Sequence, residues 1–481
     1  MTYFTLLNIS RVHMKKIPRL TNACYFFSFV LFFLPSLVFA QDTSNLQLDL
    51  THHVVGYLAA TLTIIAYIAA MSEDVIALKK SKPMVFSAAL VWFAICIYYA
   101  MHGQAKVASL AFESNLLAYI ELLLFILVSM TYLNTMTERG IFDGLRILLL
   151  NKQYSYRQLF WITGGLAFVL SMVINGLTVA LLMGAIVVAV GKDQPKFIAI
   201  ACLNVVIAAN AGGTVSPLGG ISTLFVWQHK ILHFSEFFAL MIPCVINFLV
   251  PASMMYFSVP KETPNVTQQK IWLKRGSKRI IFLFVLTLAI TVSSNVLLEL
   301  PPAAGMMAGL GLLQMFSYFL VKSEKEEFQN TANEVETFDI FKSIGDIDWD
   351  TLLFFYGAMM IIGAVGFVGY LDTIAHFLFA EMNVTVANIM IGLSSAFVDN
   401  GTLMFAVLSM HPDISDGQWL LLTLTLGVGG SLLSIGSAPG VGLLGQVKEY
   451  TFGFHLRWMP AILLGYFLSI AAHFWVNAVN F

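Results

Sequence analysis

One carboxylate of the 481-residue chain stands in an unusual setting, because Ser394-Ser395-Ala396-Phe397-Val398-Asp399-Asn400-Gly401-Thr402 places Asp399 inside an otherwise apolar run. A charge at the centre of a membrane helix costs about 2.5–3.5 kcal/mol on insertion scales, so something must compensate for it. Asn400 and Gly401 suit a helix break: glycine accepts any backbone geometry, and a broken helix frees carbonyl oxygens as ligands. A hard cation is held by such an oxygen cage. Ser395, four residues before Asp399, shares its face of a continuous helix and adds a hydroxyl. The plainer reading is that Asp399 caps a half-helix beginning at Gly401. The two readings are compatible.

Other segments repeat the pattern. Ile174-Asn175-Gly176-Leu177-Thr178 offers an amide and a hydroxyl but no acid. It can ligate but not neutralise, unless it is only a polar kink. Two stretches are too rich in glycine for lipid-facing helices. They run from Asn210 through Gly212, Gly213, Gly219, Gly220, Ser222 and Thr223, and from Gly427 through Ser434 and Ser437 to Gly440. Irregular backbone at membrane depth must be sheltered by protein or line a cavity, which predicts re-entrant hairpins or broken helices; close packing through small residues is the alternative. Glu121 lies within a predicted span and is a proton-carrying candidate, with a structural hydrogen bond as its alternative. Asp350 stands at a span margin, where it reads equally as a helix N-cap. His52, His53, His102, His376, His411, His455 and His473 fall near predicted span ends and receive no role. Cys24, Cys96, Cys202 and Cys244 lack metal or dithiol spacing. No GxxxxGKS loop, HExxH motif or nucleophile elbow is present, which argues against ATP-driven pumping and against an enzyme.

The elements that must position these residues are membrane helices. Hydrophobic residues make up 58% of the chain and charged ones 11%, and the mean hydropathy is +0.81. With Lys+Arg at 26 and Asp+Glu at 27 there is no basic face for nucleic acid. Residues 1–40 have a basic stretch, an apolar run and a small residue at Ala40, which reads as a signal peptide cleaved there, with an uncleaved first helix as the alternative. Apolar runs then predict helices at 54–71, 84–101, 115–134, 158–174, 177–190, 197–209 and 236–259. A second series covers 280–298, 303–321, 351–370, 385–398, 401–410, 418–433 and 460–478, with short pieces at 221–232 and 438–445. That is an all-α polytopic membrane protein of about 11–13 spans. Lys79, Lys80, Lys82 and the basic linker at 260–279 should be cytoplasmic. The two series, 41–259 and 280–481, then enter the bilayer from opposite sides. Asn175-Gly176 parallels Asn400-Gly401, and Asn210 and Ser434 follow these asparagines by 35 and 34 residues. Glu121 and Asp350 precede them by 54 and 50. An inverted-topology repeat with broken helices and a midplane site is the expected plan.

The segments LKKSKP, WDTLLFF, SSAFVDNGTLMFAVLSM, NVVIAANAGGTVSPLGGISTLFVWQ, GGSLLSIGSAPGV and HLRWMPAILLGYFLSIAAHFWVN resemble those of the NhaD-type sodium/proton antiporters, over nearly all of residues 50–480. The resemblance implies an inner-membrane homodimer that exchanges sodium or lithium for protons in pH homeostasis, without a cofactor. It implies roles for Glu121, Asn175, Asn210, Ser222, Thr223, Asp350, Ser395, Asp399, Asn400, Ser434 and Ser437; Thr178 and Thr402 join them as neighbouring hydroxyls. Transient sodium ligation is expected at Asp399, Asn400 and Asn175. In two places the chain departs from the family, which carries aspartate where Ile174 and Gly220 stand here, and Ser222 replaces a threonine. Loss of two acids makes sodium-coupled anion or carboxylate symport the alternative; a non-transporting membrane scaffold is the third reading.

Overall fold

The computed structural model describes residues 48–76, 78–152, 154–192, 194–264, 273–328 and 338–480. The expected signal peptide and residues 265–272 of the basic linker lie outside them. Among the described residues all regular structure is helical: α1 (Val54–Met71), α2 (Ser81–Met101), α3 (Ala105–Glu138), α4 (Ile141–Asn151), α5 (Tyr156–Ser171), α6 (Gly176–Val190), α7 (Pro195–Thr214), α8 (Ile221–Gln228) and α9 (Met241–Tyr256). There follow α10 (Ser277–Leu298), α11 (Pro302–Phe328), α12 (Trp349–Val368), α13 (Val384–Ser394), α14 (Asn400–Ser409), α15 (Asp416–Gly429), α16 (Ala438–Gln446) and α17 (Phe452–Val476).

Nine helices among the described residues are long and apolar enough to cross a membrane. This is fewer than the expected 11–13, because α6, α13 and α14 are apolar but short. The sequence also understated α3, which runs for 34 residues, and missed α4, whose Asp143 and Arg146 interrupt its hydropathy.

Hydrogen bonds fix helix directions. Ser81, at the start of α2, donates its hydroxyl to Asp350 at the start of α12, and Trp92 Nε1 donates to the Met360 carbonyl at 2.8 Å. These two helices therefore run parallel. Helix α3 runs against α12, with Tyr119 donating to the Leu352 carbonyl at 3.3 Å while Asn115 lies against Gly363. Where α3 ends, the Arg139 carbonyl accepts from Lys274 N at 3.2 Å and from the Ser277 hydroxyl at 3.0 Å, so α10 begins at that face. Helix α1 begins at the opposite one: Leu50 N donates to the Val368 carbonyl at 3.0 Å. Lys79, Lys80, Lys82, Arg139, Lys274, Lys278 and Arg279 thus lie towards one face.

The centre is built from two broken helices, α5/α6 and α13/α14, and two hairpins, α7/α8 and α15/α16. Helix α5 packs on α7 and α13 on α15, whereas the second halves cross over, α6 packing on α16 and α8 on α14. From Phe197 to Thr214 every residue of α7 is buried. In lipid such association depends on close van der Waals packing rather than on expulsion of water, and small residues allow it. A Cβ on Gly212 would stand 2.0 Å from the Phe168 carbonyl oxygen, and one on Gly429 would stand 2.1 Å from that of Gly392. Each hairpin therefore rests with bare backbone on the first half of the broken helix beside it.

Candidate functional site

Both half-helices start in the same way. Asn175 caps α6 with φ −50° and ψ 130°, its Oδ1 accepting from Leu177 N at 2.9 Å. Asp399 caps α14 with φ −53° and ψ 132°, its Oδ2 accepting from Thr402 N at 3.1 Å and lying 3.4 Å from the Thr402 hydroxyl. The structural counterpart of Asn175 is thus Asp399, not Asn400, and the half-helix begins at Asn400 rather than Gly401. Sequence pairing of the two Asn-Gly dipeptides was one residue out, because the side chain that takes the first free N–H groups fixes where a helix begins. Asn400, half-buried, is the first helical residue; Thr178 is the third residue of α6. Ser395 is fully buried, but α13 ends at Ser394. The helical-face argument for Ser395 fails there, and its hydroxyl donates to the Leu426 carbonyl at 2.9 Å.

The hairpins meet beside these caps. Asn210 Nδ2 donates to the hydroxyls of Ser431 and Ser437 at 2.9 and 2.8 Å, joining α7 to both sides of the second hairpin's tip. Asn210 sits within a helix and Ser434 in the loop between α15 and α16, so their matched spacing is not an equivalence of position. Thr223 closes the first tip, donating to the carbonyls of Gly220 at 2.7 Å and Ser216 at 3.1 Å. The hydroxyls of Ser222 and Ser434 are buried and have no hydrogen-bond partner. A buried polar group left unpaired costs about 1–3 kcal/mol, so these two hydroxyls are free to accept a further bond. Gly176 abuts Pro439 and Gly401 abuts Ile221, so each half-helix starts against the second arm of the opposite hairpin.

Two cavities flank this crossing. One of about 130 Å³ is lined by Tyr67, Glu73, Lys80, Phe354, Asp399 and the tip residues Ile435 to Ala438. The other, about 20 Å³, is lined by Phe125, Ser129, Asn175 and the opposite tip, Pro217 to Ile221. A water needs roughly 10–15 Å³ of such volume, so the first holds several waters and the second about one. Asp350 lies one turn before Phe354, and Glu121 lies one turn before Phe125. The two acids thus stand in matching relation to the two cavities. Asp350 is held by Ser81, while Asp348, not Asp350, caps α12 through Thr351 N at 3.2 Å. Glu121 is half-buried in the middle of α3.

Sequence reasoning missed several groups. Ser431 is the second acceptor of Asn210. His455 is 0% exposed, with Nε2 2.9 Å from the Ser431 carbonyl and Nδ1 2.6 Å from the Tyr450 hydroxyl. A carbonyl only accepts, so Nε2 carries a proton and props the tip that Asn210 reaches. Proximity to a span end had set this histidine aside, yet α17 turns it inward. Tyr67 is the third omission. Among the described residues no three His, Cys, Asp or Glu side chains converge as metal ligands. A cation at the crossing would meet one carboxylate among hydroxyl, amide and carbonyl oxygens.

A family model described as "Citrate transporter" matches residues 54–427. The Na+/H+ antiporter NhaD of Halomonas elongata is 47% identical over 472 residues, covering 94% of this chain and 95% of that protein. The Na+/H+ antiporter NhaD of Vibrio cholerae is 47% identical over 461 residues, covering 92% and 97%. Sodium/proton antiporter 1 of Arabidopsis thaliana is 28% identical over 336 residues, 68% of this chain and 57% of that protein.

Proposed function

The chain belongs to the family that the citrate-transporter model describes and, within it, to the NhaD-type antiporters, and from that premise we propose that it exchanges sodium or lithium for protons across the bacterial inner membrane. The observation that carries this reading is Asp399: a carboxylate at the start of a half-helix, lining a cavity. A half-helix N-terminus on its own favours anions. Asp399 occupies that position at α14 and reverses the local charge, so the cavity beside it suits a cation. Asn175, its counterpart at α6, lacks the charge to do so.

Exchange follows from competition. A proton on Asp399 removes the charge that holds sodium, and sodium on the carboxylate excludes the proton. Neither leaves the site empty without the other arriving, provided the loaded site turns between the two faces. Alternating access rests on the inverted-topology repeat, which is supported by α1 and α10 starting at opposite faces and by the shared backbone of the two caps. The basic residues make the face of Lys80 cytoplasmic by the positive-inside rule. The larger cavity then belongs to an inward-facing state, with Asp350 at its mouth, while Glu121 serves protons from the other side. Ser222, Ser434, Thr402 and the Asn210–Ser431–Ser437 cluster supply neutral oxygens. A homodimer is the proposed assembly, and the protein acts as a transporter rather than an enzyme. The relatives' names give no support to carboxylate symport.

The test is proton flux in liposomes holding only this protein. Adding sodium or lithium outside liposomes with a proton-loaded lumen should dequench a pH dye, and Asp399→Asn should abolish the signal. Sodium-driven uptake of a dicarboxylate without proton counterflow would overturn the proposal.

A further inference from the structure

Helix α1 lies outside both broken helices and both hairpins, and most of its side chains suit lipid: Tyr57, Ile64, Ile65, Ile68 and Met71 are each more than half exposed. Tyr67 behaves differently. It stands roughly 20 Å along the helix from Val54, taking 1.5 Å per residue. Its ring lines the cavity that holds Asp399. Its hydroxyl oxygen is enclosed and no well-aligned hydrogen bond reaches it, although the Thr402 hydroxyl and the Asp399 carboxylate stand beside it.

An enclosed hydroxyl without a partner is unfavourable, and phenylalanine would fill the same space without that cost. The oxygen is therefore expected to gain its partner in another state of the site. Of the Asp399 oxygens, Oδ2 is already engaged by Thr402 N and its hydroxyl. A cation bridging Asp399 would have the Tyr67 oxygen on its open side.

We propose that Tyr67 is a cation ligand: its phenolic oxygen completes, from α1, the shell of the ion bound at Asp399 and favours sodium over the smaller lithium. The phenol proton turns to the Thr402 hydroxyl when the lone pair faces the ion. This assignment rests on the reading of Asp399 as the cation site. It adds a third wall to a site otherwise made by the crossing helices, so α1 senses occupancy directly. Lithium, smaller and satisfied by fewer oxygens, fills its shell at the crossing without Tyr67, whereas sodium needs the further ligand.

The experiment is Tyr67→Phe in proteoliposomes, with Asp399→Asn alongside. Because the hydroxyl makes no well-aligned hydrogen bond in the structure, the substitution should leave the fold intact. The apparent KM for sodium should rise roughly tenfold, as for loss of one hydrogen-bond-strength contact. KM for lithium should rise less, and Vmax should be unchanged for both. Sodium-induced protection against thermal unfolding should shrink in parallel, since a ligand stabilises in proportion to its affinity. An unchanged KM for both ions beside an inactive Asp399→Asn protein would overturn the role of Tyr67 and leave the site reading intact. A lower Vmax at unchanged KM would likewise overturn it, in favour of a structural part for the residue. Normal exchange by Asp399→Asn would instead remove the site reading itself.

Discussion

At the scale of residues, the chemistry turns on how few groups carry charge. Asp399 was legible because a carboxylate in an apolar run must be compensated, and Asn210 because an amide followed by paired glycines stands out in a membrane segment. Their partners were harder to read. Ser431 lies in the same glycine-rich string as Ser434 and Ser437, and only the fold shows that Asn210 reaches Ser431 and Ser437 while the Ser434 hydroxyl stays unpaired. Tyr67 carries no sequence signal, since a tyrosine in an apolar helix is usually a lipid or core residue. The geometry makes Asn210 the fastener of the two hairpins. Asn210→Ala removes both hydrogen bonds and strands two buried serines, so it should lower stability by roughly 1–3 kcal/mol. Thermal melting of the purified protein checks this; exchange should fall as well, because the tip is no longer held beside Asp399.

At the scale of elements, apolar runs and glycine content located nearly every helix, and the errors share one cause. Predicted helices ran through 158–174 and 385–398, whereas α5 ends at Ser171 and α13 at Ser394. Apolar residues continue past both ends, so hydropathy cannot see the break; the caps Asn175 and Asp399 reveal it only when read as caps. The same blindness paired the two Asn-Gly dipeptides one residue away from the matching caps Asn175 and Asp399 and put Ser395 on a helical face it does not occupy. Hairpin placement is governed by backbone contact. Alanine at Gly212 or Gly429 would drive a methyl into a carbonyl of the neighbouring half-helix. Such overpacking costs about 1–3 kcal/mol and more where backbone cannot yield. Both substitutions should depress folded yield and melting temperature alike, while Gly165→Ala and Gly445→Ala, which meet open space, should leave them unchanged. Size-exclusion profiles of the four proteins make the comparison.

At the scale of the whole molecule, composition marks a membrane protein, and the lysines and arginines are the ground for its proposed sidedness. Span count was not legible, because half-helices and hairpin arms carry the hydropathy of spans without their length. With Ile174 before the α6 cap and Gly220 before α8, Asp399 is the one acid among the caps and tips of the crossing, and this shapes the central claim. If one carboxylate alternates between hydrogen and metal, binding sodium must expel a proton from it. Calorimetric titration of sodium into the purified protein, repeated in buffers of different ionisation enthalpy, counts that proton. In titrations begun at a pH low enough to protonate the site, the account predicts release of about one proton per sodium bound, and loss of both binding and release in Asp399→Asn. Sodium binding with no proton released, or release that persists in Asp399→Asn, would contradict it.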